Sequence, residues 1–252
     1  MTKSKNVNSI TRAISILKSI SKGTGKISQI SDAVKLTKGT THRLLATLVE
    51  TKFVVQDPIS LEYFLGPALL ELADNPSVTH KNLVNCASKE MEYLRDYTGE
   101  TIVLHVRSGL ESLCIACIES THAIRYTNPV GFTAPLYLGG AGKVLLAELD
   151  DREIFIILEN LDLQKITPNT ITNREKLVEE IEMVRKCGYA TSFGERIVGS
   201  SCFSVAVRDY IMPVSLSVFG TITRPKIDER EDLLNQLKAS SKKISKKLKM
   251  QL

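Results

Sequence analysis

Within residues 1–65 the hydrophobic positions fall into three short helical stripes followed by two short extended runs, a pattern that few folds satisfy. Ile10, Ala13, Ile14 and Leu17 recur at i, i+3, i+4 and i+7, one face of an amphipathic helix beginning near Ser9. Gly23 and Gly25 break it. Ser28 reads as the N-cap of a second, short helix through Ile30, Ala33 and Val34. Thr37 can cap a third, over about Lys38–Thr51, with Leu44, Leu45 and Leu48 on its inner face. Phe53–Gln56, a turn at Asp57-Pro58, and Tyr63–Leu65 then read as a small β-hairpin. Three helices and a hairpin in this span make a winged helix-turn-helix.

Gly66-Pro67 closes this unit, and Pro67 suits the first turn of a following helix. Asn75-Pro76 marks a break, so residues 66–80 read as a connector. A longer helix is expected from about Thr79 to Tyr97, with Leu83, Ala87, Met91 and Leu94 as its apolar stripe. From Glu100 the rhythm changes to alternation, predicting strands at Thr101–Arg107, Leu113–Ile118 and Ile124–Thr127. Helices follow at about Ala141–Leu149, Asp151–Asn160 and Arg174–Cys187. Strands return at Tyr189–Glu195, Cys202–Arg208 and Val214–Phe219. A final helix over Glu229–Leu248 turns Leu233, Leu237, Ile244 and Leu248 inward and its lysines outward. This order predicts an α+β fold, an antiparallel sheet with helices on its faces. The expected domains are a winged helix-turn-helix over 1–65, the connector 66–80, and a second domain over 81–252.

Charge divides along the same line. Residues 1–65 hold ten Lys and Arg against four Asp and Glu, whereas 66–227 hold sixteen against twenty. Residues 228–252 are basic again, seven against four. A basic head on an acidic body predicts a polyanion-binding module joined to something with another task. No run of about 18 uncharged apolar residues exists to span a membrane, and the opening MTKSKNVNS leads into no signal-peptide core. A cytoplasmic chain is expected, with its five cysteines as thiols. Cys114 and Cys117 form a CxxC inside a strand, where residues three apart point to opposite faces, against both a metal site and a redox pair. The four histidines form no paired-ligand pattern, so neither metal nor cofactor is expected.

The third helix is the candidate DNA reader. Opposite its leucines lie Gly39, His42, Arg43 and Ala46, with Lys38 and Thr40 at the shoulders. In a helix-turn-helix the second helix enters the major groove and reads bases with its N-terminal half. Arg43 and His42 can donate to guanine acceptors, and Thr40 suits base edge or phosphate. Thr41 points inward. Arg12 and Lys52, like Lys18, Lys22 and Lys26, are candidate phosphate contacts, which give affinity without sequence choice. In the second domain, Gly139-Gly140-Ala141-Gly142-Lys143 is no Walker A loop, because Tyr137 and Val144 stand where that motif needs Gly and Ser/Thr. It reads either as a tight packing turn or as a helix start with free N–H groups for a carboxylate. Cys202 reads as a buried thiol; as a nucleophile it needs a base, and His105 or His122 could reach it only through the fold.

The runs SITRAISILKSI and ISQISDAVKLTKGTTHRLLATL, with Tyr63-Phe64-Leu65-Gly66, resemble the IclR family of bacterial transcriptional regulators. So do Thr98-Gly99-Glu100-Thr101, PLYLGGAGKVLLA at 135–147, ITPNTIT at 166–172, and Gly188-Tyr189. The resemblance implies a C-terminal effector domain of GAF-like shape that binds small organic acids. It also implies homodimers or tetramers on palindromic double-stranded operators near catabolic genes. Leu138, Gly140, Ala141, Cys202 and Ser217 match ligand-lining positions of the family. Ser192 falls where relatives often place an acid and Phe219 where some place a serine, which implies a smaller or more apolar pocket. Two departures lie in the helix-turn-helix: Lys35 replaces the usual turn glycine, and Thr37 the proline opening the recognition helix. The expected function is a ligand-responsive repressor. The alternatives are a cysteine-dependent enzyme acting on a small acid in the same pocket, and a metabolite-binding protein whose basic head meets protein or RNA.

Overall fold

A computed structural model describes residues 7–73, 79–224 and 229–251 of the chain, which divides into two compact units, 1–75 and 76–252. The expected break at Asn75-Pro76 lies outside the described residues. No helix among the described residues is long and apolar enough to cross a membrane.

The first unit holds α1 (Asn8–Ile20), α2 (Ile27–Val34), α3 (Lys38–Glu50), β1 (Val54–Gln56), β2 (Tyr63–Leu65) and α4 (Ala68–Ala73). The strands pair antiparallel, Val54 opposite Leu65 and Gln56 opposite Tyr63. Ile16, Ile30, Leu45 and Val54 are wholly buried in one cluster with Ile20, Leu48 and Tyr63. Each such side chain contributes roughly 1.5–3 kcal/mol. The Tyr63 N–H donates to the Gly25 carbonyl (2.8 Å), tying the hairpin to the turn after α1.

The helix starts obey local chemistry, with one correction. Thr37 caps α3, its Oγ1 accepting from the Thr40 N–H at 3.3 Å. Ser28, however, lies inside α2; Lys26 is the N-cap residue, and its N–H donates to Gln29 Oε1 at 3.3 Å. The Gln29 amide thus supplies the reciprocal half of a capping box, accepting from the cap residue's own N–H. Lys35 ends α2 at φ 54°, in the left-handed region. A side chain with a Cβ pays about 1 kcal/mol there.

The second unit runs α5 (Lys81–Thr98), β3 (Thr101–Ser108), β4 (Glu111–Ile118), β5 (Thr133–Pro135), α6 (Gly139–Ala147), α7 (Asp151–Asn160), α8 (Arg174–Cys187), β6 (Ala190–Phe193), β7 (Ser200–Val207), β8 (Val214–Thr221) and α9 (Arg230–Lys249). The strands form one antiparallel sheet in the order β5-β4-β3-β8-β7-β6. On one face α5 and α9 pack Leu83, Met91, Leu94, Leu237 and Ile244 against Leu104, Val205 and Leu216. The layer carrying α6, α7 and α8 has its own core of Leu145, Leu146, Ile157, Leu177 and Ile181, joined by Ala190 of β6.

Two expectations fail in this sheet. Ile124–Thr127 is not a strand, and β5 instead pairs with the start of β4, Pro135 opposite Glu111 and Thr133 opposite Leu113. Side chains pin the 124–127 segment: Thr101 Oγ1 donates to the Tyr126 carbonyl (2.7 Å), and Arg125 pairs with Glu119 (2.8 Å). Second, a bulge at Ile115 puts Cys114 opposite His105 and Cys117 opposite Val103. Residues 103 and 105 share a sheet face, so the two thiols do as well. Strict alternation is broken there by the one extra residue.

Candidate nucleic-acid interface and ligand cavity

The α3 face develops from the cap outward. Thr41 is fully buried, its Oγ1 donating to the Thr37 carbonyl (3.1 Å), while Leu45 and Leu48 face the core. That phase leaves Lys38, Gly39, His42, Arg43 and Ala46 exposed along one side. A side chain at Gly39 would meet no neighbouring atom, so the glycine keeps the helix surface low where a partner would approach. Thr40 is half-buried and its hydroxyl lies 3.0 Å from that of Thr37, which engages it in the cap. Arg12 is exposed on α1, and Lys52 is exposed at φ 59° in the turn between α3 and β1. These two lie on other elements than the α3 face.

The cavity in the second unit sits at the N-terminus of α6. Gly139, at φ 81°, makes the sharp entry from the preceding loop. A Cβ on Gly140 would stand 3.1 Å from Ser204 Oγ and 3.3 Å from Cys202 Sγ, so the helix is seated against the sheet as closely as backbone allows. Two of the N–H groups expected to be free here are taken by side-chain oxygens. Gly139 donates to Glu195 Oε2 (3.2 Å) and Gly140 to Ser192 Oγ (3.1 Å), and Ala141 N–H faces the sulfur of Cys202. Glu195 in turn holds Lys143, which is 1% exposed; its Nζ also donates to Glu180 and to the Thr191 carbonyl, all within 3.0 Å. The lysine of the glycine-rich loop is therefore an internal tie between α6, α8 and β6.

One residue beyond Glu195, the Arg196 guanidinium lies 4.9 Å from the Phe132 ring centre and 5.9 Å from that of Phe219. It donates to Asn128 Oδ1 at 2.8 Å. With that oxygen engaged, the Asn128 Nδ2 faces His105 Nε2 at 3.3 Å, so Nε2 is the acceptor. Burial and the nearby Arg196 push the His105 pKa down to about 3, which keeps the ring neutral with its proton on Nδ1. That buried Nδ1 has no hydrogen-bond partner among the described residues.

These groups enclose a cavity of about 20 Å³, room for a single water-sized group. Leu138, Gly140, Ala141, Ser192, Cys202 and Phe219 line it, and so do His105, Ser112, Asn128, Phe132, Arg196 and Ser200. Ser217 does not line it. Its Oγ reaches the wall only in relay, 2.8 Å from Ser204 Oγ, which lies 3.1 Å from Cys202 Sγ. Burial raises the Cys202 thiol pKa, against the hydroxyl of Ser204 and the Ala141 N–H, so the sulfur is a packed thiol. No cluster of three or more His, Cys, Asp or Glu among the described residues could hold a metal ion. Sequence reasoning missed Arg196, Asn128 and Phe132 as cavity residues; the only local signal was a lone arginine beside the Gly199–Cys202 segment.

Residues 76–246 match the family described as bacterial transcriptional regulator IclR C-terminal, and residues 9–58 match the IclR helix-turn-helix domain. The HTH-type transcriptional repressor AllR of Escherichia coli K12 is 30% identical over 224 residues, 87% of this chain and 82% of AllR. The crystal structure of the Thermotoga maritima IclR aligns with a TM-score of 0.65 at 28% identity, covering 96% of this chain and 99% of that one. An IclR homologue from Microbacterium hydrocarbonoxydans, complexed with 4-hydroxybenzoate, shares the fold at 21% identity and a TM-score of 0.64, over 96% and 99% of the two chains. Matched in both domains and over most of its length, the chain belongs to the IclR family of bacterial transcriptional regulators, not to a family of enzymes.

Proposed function

We propose that this regulator is a repressor of catabolic genes whose grip on a palindromic operator is controlled by a small organic acid in the α6 cavity. Lys38, Gly39, Thr40, His42 and Arg43 would read base edges and flanking backbone, with Arg12 and Lys52 on phosphates. The protein would act in the cytoplasm as a homodimer or tetramer, presenting two α3 helices to half-sites about 34 Å apart. The domain limits in this reading are 1–65 for the DNA-binding module, 66–80 for the connector and 81–252 for the effector domain.

The observation that supports it best is the exposed His42–Arg43 face of a capped α3. The cavity as described holds one water-sized group, so an acid enters only as its walls part, and an aromatic ring at Phe219 in place of a hydroxyl favours a small acid with an apolar body. The test is binding to the intergenic DNA beside the gene across a salt series, against scrambled competitor. A preference of about 10³-fold or more establishes operator recognition. Weak, salt-labile binding indifferent to sequence overturns it.

A further inference from the structure

The cavity is an unusual place for a cation. Of the residues that line it, Arg196 alone carries a formal charge, since His105 is neutral and Ser192 has no carboxylate. No acidic group pairs with Arg196 among the described residues. The neighbouring carboxylate of Glu195 is spent on Lys143 and the Gly139 N–H. Arg196 is half-buried, and a charge drawn partly out of water is costly unless paired; here two ring faces and one amide oxygen stand in for a counter-ion. His105 lines the same cavity, and its buried Nδ1–H, whose proton is fixed there by the Asn128 amide, has no partner among the described residues.

We infer that Arg196, with the His105 Nδ1–H, is the anchor for the carboxylate of a small monocarboxylic acid, in place of the α6 N-terminus. The inference rests on the cavity being the effector site. At the helix start the Gly139 and Gly140 N–H groups are already taken by Glu195 and Ser192, and the Ala141 N–H faces only the weak acceptor Cys202 Sγ. The donors left over are the Arg196 guanidinium and the His105 Nδ1–H, and a carboxylate supplies acceptor oxygens for both with the single negative charge the lining lacks. One charge is enough. A dicarboxylate would bring a second anion with no second cation in the lining to meet it. Phe132 and Phe219 flank the guanidinium and favour a short or flat apolar body on the acid.

Asn128 is the positioning residue. Its two amide atoms hold the guanidinium and the imidazole at once, so one side chain sets both the direction of the cation and the tautomer of the ring.

The test uses the full-length protein with acetate, propionate and benzoate as probes and acetamide and benzamide as neutral controls, read by ligand-observed NMR and thermal shift. At least one carboxylate is expected to bind wild type, and neither amide. R196Q is expected to weaken that carboxylate by about 10- to 100-fold, and His105→Phe by about 5-fold. The melting curve without ligand shows whether each variant is folded, and R196K, which keeps the charge without the fork, is expected to fall between. In ¹⁵N-histidine spectra the Nδ1 signal of His105 is expected to move on adding the bound acid. Equal carboxylate affinity in folded R196Q or R196K and wild type, or amides binding as well as acids, overturns the anchor while leaving the effector reading intact. No binding of any probe acid to wild type at millimolar concentration overturns both.

Discussion

The two units place their chemistry on opposite sides of the surface. In the first, Lys38, His42 and Arg43 stand in solvent on a helix held by Thr37 at one end and by Leu45 and Leu48 beneath. In the second, Lys143, Glu195 and His105 are each under a tenth exposed and take much of their meaning from one another. An exposed cation costs the fold little and is free to meet phosphate or base. A buried one must be matched inside the chain or by what enters. The same residue type is therefore a contact in one unit and a fixture in the other.

Lys143→Met is expected to break this contrast hardest. It leaves Glu195 buried without its cation and should cost the second unit about 3–5 kcal/mol, read by urea denaturation. A cost near zero would mean that α6 is seated by shape alone. His105 sharpens the same point through pH. Its folded pKa of about 3 lies below the ordinary 6.5, so the unfolded chain takes up the proton first. That contribution to stability is complete above pH 6.5 and is lost as pH falls from there toward 3. His105→Phe should flatten the wild-type slope over that window, and an unchanged slope would show that the ring titrates freely. On the exposed side, Arg43→Ala should cost about 1–3 kcal/mol of operator binding with no change in melting temperature. A loss of stability there would place Arg43 in the packing instead. The smallest effect is expected at Lys35, where glycine relieves a left-handed Cβ and should stabilise the first unit by about 1 kcal/mol.

What could be read in advance follows the same division. The Thr37 cap, the inward Thr41 and the exposed Arg43 depend on residues within one or two turns, and a helical period exposes them. The Arg174–Cys187 helix was legible for the same reason, its Asn173 cap and Gly188 stop adjoining it in the chain. The cavity depends on partners far apart: His105, Asn128 and Arg196 come from three separate segments and meet only once the sheet is formed. Alternation also has no means of announcing the extra residue at Ile115, so by itself it puts Cys114 and Cys117 on opposite faces. Even Ser28 illustrates the limit: the helix begins one residue before it, and it is the Gln29 amide that bonds the N–H of the true cap residue. Local rules found the elements, and long-range pairing made the site.

The sheet's outline has a consequence for how copies of this domain can meet. Its inner strands β3, β4, β7 and β8 are each 8 residues long, but β5 at one margin has 3 and β6 at the other has 4. Pro135 removes a donor from the shorter of the two. These short strands offer little template for another strand, but β5 pairs only with Glu111–Leu113, so the rest of β4 as far as Ile118 has no strand partner on that side. Strand-to-strand contact between copies of this domain is then confined to that one stretch of β4, and every other meeting would use helix and loop surfaces, where side-chain shape and charge choose the partner.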